Sequence, residues 1–280
     1  QDLDYIIIES SGMANPGPIA SIFWLDDALE SRLRLHGIVT LVDASNILQS
    51  LKETEEAAQQ IAYADRILMN KIDLVDVENH AEVFDSIRSM HQTAPILKTE
   101  YAKVPDLEWI LGSKSFSNSE DTASYPSCIP IISHKHTSDV RTISLSYDGS
   151  VDLKKINTWF ASLLWPNQDK EDKILRAQLE TNSIHVSNSD TVGTMQIFRA
   201  KGILSVKHHD IEEEDEPNVD ETGIDDRRFI LQAVYDLWEI YPGSENLQWE
   251  ETHDRTCKLI IIGRCLEEDV LDEGFKSCFV

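Results

Sequence analysis

Short apolar runs separated by amphipathic stretches fill the first 111 residues of the chain. A continuous apolar run is typical of a strand buried on both faces of a sheet, and four segments have one: DYIIIES (4–10), GIVTLVDA (37–44), the start of RILMNKID (66–73) and APILKT (94–99). The segments between and after them predict helices: GPIASIFWLDDALESRL (17–33), TEEAAQQIAYA (54–64, with Thr54 as its cap), ENHAEVFDSIRSMHQ (78–92) and a last turn in DLEWIL (106–111). This alternation predicts a mostly parallel sheet covered on both faces.

The pattern changes after residue 111. GSKSFSNSEDTASYPS (112–127) is rich in Ser, Asn and Asp without a period, which predicts a linker. Beyond it, TISLSYD (142–148) alternates like a half-buried strand, and VDLKKINTWFASLLW (151–165) has one apolar helical face. Three more strands and a closing helix are predicted from MQIFRAKGILSV (195–206), RFILQAVYDLWEI (228–240), CKLIIIG (257–263) and EEDVLDEGFKSCF (267–279).

The predicted fold is therefore of the α/β class, with two domains. Residues 1–111 form the mostly parallel sheet, residues 112–130 a linker, and residues 131–280 an α+β domain, because strands outnumber helices there.

Charge and cysteine usage narrow the function classes. The formal net charge of −25 argues against a nucleic-acid binder, which needs a basic face, and against adsorption to anionic membranes. Four cysteines without a CxxC pair in 280 residues fit a reducing compartment, so we expect a cytoplasmic protein, with the nucleus as a second location. The longest apolar runs are too short to cross a bilayer.

The sequence Asn70-Lys71-Ile72-Asp73 directly follows an apolar strand. At the carboxyl edge of a parallel sheet, where ligands bind in such folds, a carboxylate at Asp73 can accept from both N1–H and the amino group of guanine, a pair that adenine lacks. Asn70 can bond the other edge of the base, and the stem of Lys71 can lie over its plane. The alternative is a polar turn after a buried strand.

Glu9 directly follows the apolar run Tyr5–Ile8 of the first predicted strand, and Gly12 comes three residues after Glu9. An acidic residue at a strand end can hold Mg²⁺, and a glycine three residues later lets a backbone N–H approach a γ-phosphate. The alternative is an ordinary strand-to-helix loop. Asp43 lies at the end of the next predicted strand, at the same edge of the sheet. It either lines the nucleotide site, or Asp43 or Ser45 caps the helix that follows.

His134 and His136 are the candidate metal ligands in this chain. In an extended segment, side chains two residues apart face the same side, so both rings can reach one ion. No third ligand is evident from the sequence, and the alternative is a pair of exposed histidines at the entry of the second domain.

Several of these motifs resemble the CobW-type GTPases, which are P-loop metallochaperone-type proteins related to UreG and HypB. DYIIIESSGMANPGPIASIFWLDDAL resembles their strand, acidic-x-x-Gly switch and following helix, and NKID resembles their guanine loop. SHKHTSDVRTISL, IFRAKGILSV and RTCKLIIIGRCLEEDVLDEGF resemble the start, middle and end of the CobW C-terminal domain. ASIFWLDD, LQAVYDLWEI and LIIIGR look most like the eukaryotic zinc-regulated GTPase metalloprotein activators.

The resemblance implies a P-loop NTPase-like domain followed by a CobW C-terminal domain. It also implies GTP hydrolysis with Mg²⁺, coupled to delivery of a metal, zinc, to a client metalloenzyme, with a type 1 methionine aminopeptidase as the implied client in the eukaryotic branch. Position by position, Glu9 and Gly12 match the catalytic switch motif, and Asn70, Lys71 and Asp73 match the guanine loop.

Two family motifs do not occur in this sequence: the phosphate loop GxxxxGK[ST] and the CxCC metal motif. Because the chain starts with Gln1, we expect both motifs before its first residue. We then expect the 280-residue chain to hold half of a nucleotide site and to have no GTP turnover by itself. Two alternatives remain for the whole protein, a GTP-regulated assembly switch and a pseudo-GTPase scaffold, both without metal transfer.

Overall fold

The computed structural model describes residues 5–28, 35–111, 140–165, 195–208, 219, 222–243, 248–249 and 255–280. The described residues fall into two compact units, one ending at Val140 and the other beginning at Arg141. The domain limits proposed from the sequence stay a prediction, because residues 112–139 lie outside the described ones.

Among the described residues of the first unit, three parallel strands form a sheet in the order β1-β2-β3. The strands are β1 (Val39–Asp43), β2 (Arg66–Asn70) and β3 (Ile96–Lys98). The middle strand β2 is almost wholly buried, as its apolar sequence predicts. In the register, Asp43 lies opposite Asn70 and Met69 lies opposite Lys98, so all three strands end at one edge.

In the described part of the first unit, five helices and two 3₁₀ turns accompany this sheet. They are α1 (Pro16–Ala28), α2 (Ile47–Glu53), α3 (Glu55–Tyr63), α4 (His80–Met90), α5 (Glu108–Leu111) and the turns Ile72–Leu74 and Val77–Asn79. Helix α4 buries Val83, Ile87 and Met90, which recur at helical spacing. Within the described parts of the chain, no helix combines the length and apolar character needed to cross a bilayer.

Two details of the first unit differ from the sequence prediction. Thr54 occupies the N-cap position of α3, but its hydroxyl donates to the Ser50 carbonyl, because α2 ends directly before it. The predicted strand at residues 4–10 is wrong for residues 5–10, which form no strand, and the side chains of residues 5–8 are exposed. An apolar run becomes a buried strand only where a neighbouring strand pairs with it, and no described strand does so here.

The second unit is α+β, as predicted. Its five-stranded sheet has the order β4-β10-β6-β8-β9, and a two-stranded parallel pair, β5 with β7, accompanies it. The strands are β4 (Val140–Asp148), β5 (Val151–Asp152), β6 (Gln196–Leu204), β7 (Val206–Lys207), β8 (Phe229–Val234), β9 (Leu237–Pro242) and β10 (Thr256–Arg264). The pairs β10–β6, β6–β8 and β8–β9 are antiparallel, which confirms the predicted sheet type.

Helices α6 (Leu153–Leu164) and α7 (Glu268–Ser277) close the core of the second unit. Phe160 from α6 and Phe275 from α7 are fully buried with Leu259 and Ile261 of β10 in one apolar cluster. The segment predicted as one strand over residues 228–240 is a hairpin instead. Val234 pairs with Leu237 across a two-residue turn, in which Tyr235 has a left-handed φ of 61°.

Candidate functional site

The loop that follows β2 has an unusual backbone. Lys71 lies in the left-handed region with φ 59°, which is uncommon for a residue with a side chain. The chain then makes the turn Ile72–Leu74, in which Ile72 is buried and Asp73 is exposed. The buried Ile72 anchors the loop, and the carboxylate of Asp73 faces solvent, where a ligand can reach it.

Asn70 joins this loop to the turn that follows β3. Its side-chain oxygen accepts from the backbone N–H of Ala102 at 2.8 Å and from the Thr99 hydroxyl at 3.2 Å. Asn70 is only 8% exposed, so these bonds satisfy a buried acceptor. Both bonds use Oδ1, and the Nδ2–H₂ group is the part of the amide that can donate to a base.

No sequence motif marks the turn after β3, residues 99–102. Its backbone bonds tie it to β2 and to the loop, because Thr99 N–H donates to the Met69 carbonyl at 2.9 Å and Ile72 N–H donates to the Thr99 carbonyl at 3.4 Å. Tyr101 and Ala102 both have φ 53°, so two consecutive residues are left-handed. The signal that could have found the turn is its position, since it follows the next strand of the same parallel sheet.

Asp43 at the end of β1 contacts the same loop. One carboxylate oxygen accepts from the Lys71 ammonium at 2.7 Å and from the Asn46 amide at 3.1 Å. The other accepts from the Ser45 hydroxyl at 2.6 Å and its backbone N–H at 3.0 Å. Partial burial alone would raise the pKa of Asp43. The hydrogen bonds, of which that from Lys71 is the largest contribution, lower the pKa by more than burial raises it, and the result is a pKa of about 2. Neither Asp43 nor Ser45 caps α2, whose N-cap residue is Asn46.

His80 supports the loop from the other side. It is the first residue of α4, and its Nε2 lies 3.2 Å from the Ile72 carbonyl and 2.9 Å from the Val75 carbonyl. Because both partners can only accept, Nε2 is the donor in these contacts. The loop is thus tied at its start by Asn70 and Lys71 and at its end by His80.

Glu9 and Gly12 lie in the open segment before α1. Glu9 is exposed, and a Cβ added at Gly12 would have no atom within 4 Å, so the backbone there is accessible to a ligand. The segment is held by Gln60 of α3, whose amide donates to the carbonyls of Gly12 and Ala14 at 3.0 and 2.9 Å. The catalytic roles expected for Glu9 and Gly12 stay a prediction.

The candidate metal ligands His134 and His136 lie outside the described residues. Among the residues that the structure describes, no group of three or more His, Cys, Asp or Glu side chains could hold a metal ion. Burial raises the pKa of Cys257 to about 12 and that of Cys278 to about 11, so both thiols are protonated at neutral pH. Both side chains are buried in the apolar core of the second unit.

The loop after β2 carries the two kinds of group that reading a guanine edge would need. Asp73 offers an exposed carboxylate, and Asn70 offers amide N–H groups at a fixed position. A simple polar turn does not require a buried Asn that ties two loops together, so the geometry favours the base-reading interpretation of Asn70, Lys71 and Asp73. Their binding role stays a prediction.

Two family models match the chain. Residues 1–98 match the CobW/HypB/UreG nucleotide-binding domain, and residues 219–279 match the cobalamin synthesis protein cobW C-terminal domain. The two matched segments together cover more than half of the chain. They occur in the order in which the sequence places the parallel sheet and the α+β domain.

Two relatives with curated names match over nearly the whole chain, and a third matches over 60% of it. The zinc-regulated GTPase metalloprotein activator 1 of Schizosaccharomyces pombe is 29% identical over 94% of this chain, and that of Saccharomyces cerevisiae is 24% identical over 97%. The zinc chaperone YjiA of Escherichia coli is 30% identical over 60% of this chain. The chain spans 61% of the length of the first two relatives and 51% of the third.

A solved structure shows the same fold. The crystal structure of Zn(II)-bound YjiA GTPase from E. coli matches with a TM-score of 0.64 at 21% identity, over 96% of this chain and 69% of that one. It supports the architecture of a parallel sheet followed by an antiparallel one. Because both domains match and occur in this order, the chain belongs to the CobW/HypB/UreG family.

Proposed function

We propose that this chain is part of a GTP-dependent metallochaperone. The whole protein binds and hydrolyses GTP and delivers a metal, zinc, to a client metalloenzyme in the cytoplasm. In the eukaryotic branch of the family, a type 1 methionine aminopeptidase is the proposed client. The residues of this chain supply the base-reading loop and the switch segment.

The observation that carries the proposal is the tied loop at the carboxyl edge of the sheet. Asn70 is buried and bonded to Ala102, while Asp73, three residues later, presents its carboxylate to solvent. That carboxylate can accept from N1–H and the 2-amino group of guanine. Adenine has an acceptor at N1 and no amino group at C2, so it would leave the carboxylate unpaired.

Glu9 and Gly12 are the proposed phosphate side of the site. Glu9 would hold Mg²⁺, which neutralises charge on the β- and γ-phosphates when bound. The open backbone at Gly12 lets its N–H donate to the γ-phosphate, because no side chain blocks the approach. Loss of that phosphate on hydrolysis would remove the contact and release residues 9–15 into a second conformation.

The zinc role is supported by the relatives and not by a metal cluster among the described residues of this chain. Two relatives are named zinc-regulated GTPase metalloprotein activators, one is named a zinc chaperone, and a solved relative has Zn(II) bound. We propose zinc as cargo that the switch segment controls, with His134 and His136 as candidate contributors.

The test is GTP turnover by the full-length protein, with and without equimolar Zn²⁺. ATP is the nucleotide control. Asp73→Ala is the diagnostic variant, and Asp76→Ala is its matched control, because Asp76 is also exposed in the same loop. We expect turnover that is specific for GTP, lost in Asp73→Ala, kept in Asp76→Ala and changed by zinc.

Other results would select the alternatives. GTP-specific turnover that no divalent metal changes would support a GTP-regulated assembly switch without metal transfer. Neither binding nor turnover of GTP would support a pseudo-GTPase scaffold, and the NKID segment would then be a polar turn. Turnover by the 280-residue chain alone would contradict our expectation that a chain without the GxxxxGK[ST] phosphate loop does not hydrolyse GTP.

A further inference from the structure

The ion pair between Asp43 and Lys71 links the ends of two strands. The two residues are 28 positions apart in the chain, and their charged atoms lie 2.7 Å apart. The parallel register places Asp43 opposite Asn70, and Ala44 N–H donates to the Asn70 carbonyl at 2.9 Å. The backbone therefore fixes both partners at the edge where the base-reading loop begins.

We propose that Asp43 is a positioning residue for the guanine site, which acts by holding the ammonium of Lys71. The inference rests on the proposed function and extends it by one residue, outside the NKID motif. Asp43 does not touch the base itself. It sets the conformation of the lysine whose stem is expected to lie over the base plane.

Lys71 needs such a partner because its side chain is long and its backbone is left-handed. A lysine side chain with a free end populates many rotamers, and ordering it on binding weakens affinity. With its ammonium held by Asp43, the four-carbon stem is ordered before a ligand arrives. Side chains with bulk are uncommon at a φ of 59°, so a tertiary contact at this position also helps to hold the turn.

The carboxylate of Asp43 is itself fixed without Lys71. Ser45 donates twice to one of its oxygens, and Asn46 donates to the other. Asp43 is thus a preorganised acceptor, and Lys71 is the partner that it orders. The pair also gives the ammonium a partner other than Asp73, two residues later, whose carboxylate must be available to the base.

The first test needs no nucleotide. Hydrogen–deuterium exchange of residues 71–75 is measured in the nucleotide-free full-length protein and in Asp43→Asn, which keeps the size of the side chain and removes its charge. We expect exchange in these residues to become faster by about two- to fivefold, as for loss of a partly exposed ion pair. Asp76→Asn, in the same loop, is the matched control and should leave exchange unchanged. Unchanged exchange in Asp43→Asn would overturn the inference.

The second test is a double-mutant cycle on the affinity for GDP. Lys71→Met keeps the apolar stem and removes the ammonium. We expect Asp43→Asn to raise the Kd for GDP by about three- to fivefold in the wild-type background and to have no further effect in Lys71→Met. Equal weakening in both backgrounds would show that Asp43 acts through its own turn at Ser45 and Asn46, and would overturn the inference.

Asp73→Ala separates the two proposals. If Asp73→Ala leaves GDP affinity unchanged, the proposed guanine site fails, whatever Asp43 does. If Asp73→Ala abolishes binding and Asp43→Asn has no effect, the guanine site stands and only the role of Asp43 fails.

Discussion

Two apolar runs of four residues have opposite environments in this protein. Residues 5–8 (YIII) are 56–85% exposed, whereas residues 259–262 (LIII) are 0–4% exposed. The two runs have nearly the same composition. Sequence alone therefore predicts a buried strand for both, and only the second is one.

The difference lies in the neighbours of each run. Residues 259–262 belong to β10, which lies between β4 and β6, so its backbone groups pair on both sides. The core cluster that includes residues from α6 and α7 contains Leu259 and Ile261. No described strand pairs with residues 5–8. An apolar run thus stabilises a fold only to the extent that other elements remove it from water.

The largest expected effect comes from truncation of the buried run. Ile261→Ala should lower the free energy of unfolding by about 2–5 kcal/mol, because it removes buried methyl groups and leaves a cavity. Ile7→Ala is the matched control, and its effect should stay within about 0.5 kcal/mol, since Ile7 is 85% exposed. Urea unfolding followed by circular dichroism measures both. A comparable loss from Ile7→Ala would mean that the first run is buried in solution.

A glycine follows each run, and the two glycines sharpen the contrast. A Cβ at Gly263 would lie 2.1 Å from the Gln196 carbonyl oxygen, whereas a Cβ at Gly12 would meet nothing within 4 Å. We expect Gly263→Ala to destabilise the protein by about 1–3 kcal/mol, as overpacking does. Gly12→Ala should leave the urea midpoint unchanged. A tolerated Gly263→Ala would indicate that the irregular pairing of β10 with β6 at this point can relax.

The same reasoning explains what the sequence could predict. The sequence predicts three elements at nearly their observed bounds: β4 from its alternation, β2 from its apolar run and α4 from its amphipathic face. Each of these signals lies within a single segment of the chain. The Asn70–Ala102 bond and the Asp43–Lys71 pair join residues 32 and 28 positions apart. Such contacts depend on strand register, which no local pattern encodes.

Two errors have a related cause. The strand predicted for residues 4–10 needed a partner that composition cannot reveal. The sequence predicts one strand over residues 228–240, where the structure has a hairpin, because the turn Tyr235-Asp236 has no glycine or asparagine to mark it. In both cases the apolar pattern is present, and strand pairing that the pattern does not encode decides the structure.

A smaller effect is expected from a buried carboxylate in the second unit. Asp225 is fully buried and accepts three hydrogen bonds from Arg227 and one from His208. Burial raises its pKa, but the Arg227 bonds lower it more, so the folded value lies below the ordinary one. The stabilisation is therefore complete above the unfolded pKa, about 4, and is lost as the pH falls through the folded value.

The urea midpoint measured against pH tests this. The wild-type protein should lose stability below about pH 4, and Asp225→Asn should remove part of that dependence. Asp226→Asn, next in the chain and half exposed, is the matched control and should keep it. An unchanged acid profile in Asp225→Asn would show that other groups dominate the acid sensitivity.

The smallest expected effect concerns the exposed segment that follows residues 5–8. The side-chain amide of Gln60 donates to the Gly12 and Ala14 carbonyls, and Ala14 N–H donates to the Ser11 carbonyl. Gln60→Glu replaces that donor with a carboxylate facing two carbonyl oxygens. The net contribution of such hydrogen bonds to stability is about 0.5–1.5 kcal/mol. Their loss should therefore increase the hydrogen exchange rate of the Ala14 amide by about two- to tenfold.

Gln59→Glu is the control for charge, because it adds a carboxylate at the preceding position of the same helix. Faster exchange only in Gln60→Glu would mean that the side chain of Gln60 orders the segment around Gly12 and Ala14, which the apolar run at residues 5–8 does not anchor. Equal changes in both variants would assign the effect to charge and leave the segment without a specific tether. The proposed switch includes Gly12 and Ala14, and a segment that changes between two conformations requires a weak tether. The hydrogen bonds from Gln60 are weak enough that binding of a phosphate can offset the free energy of breaking them.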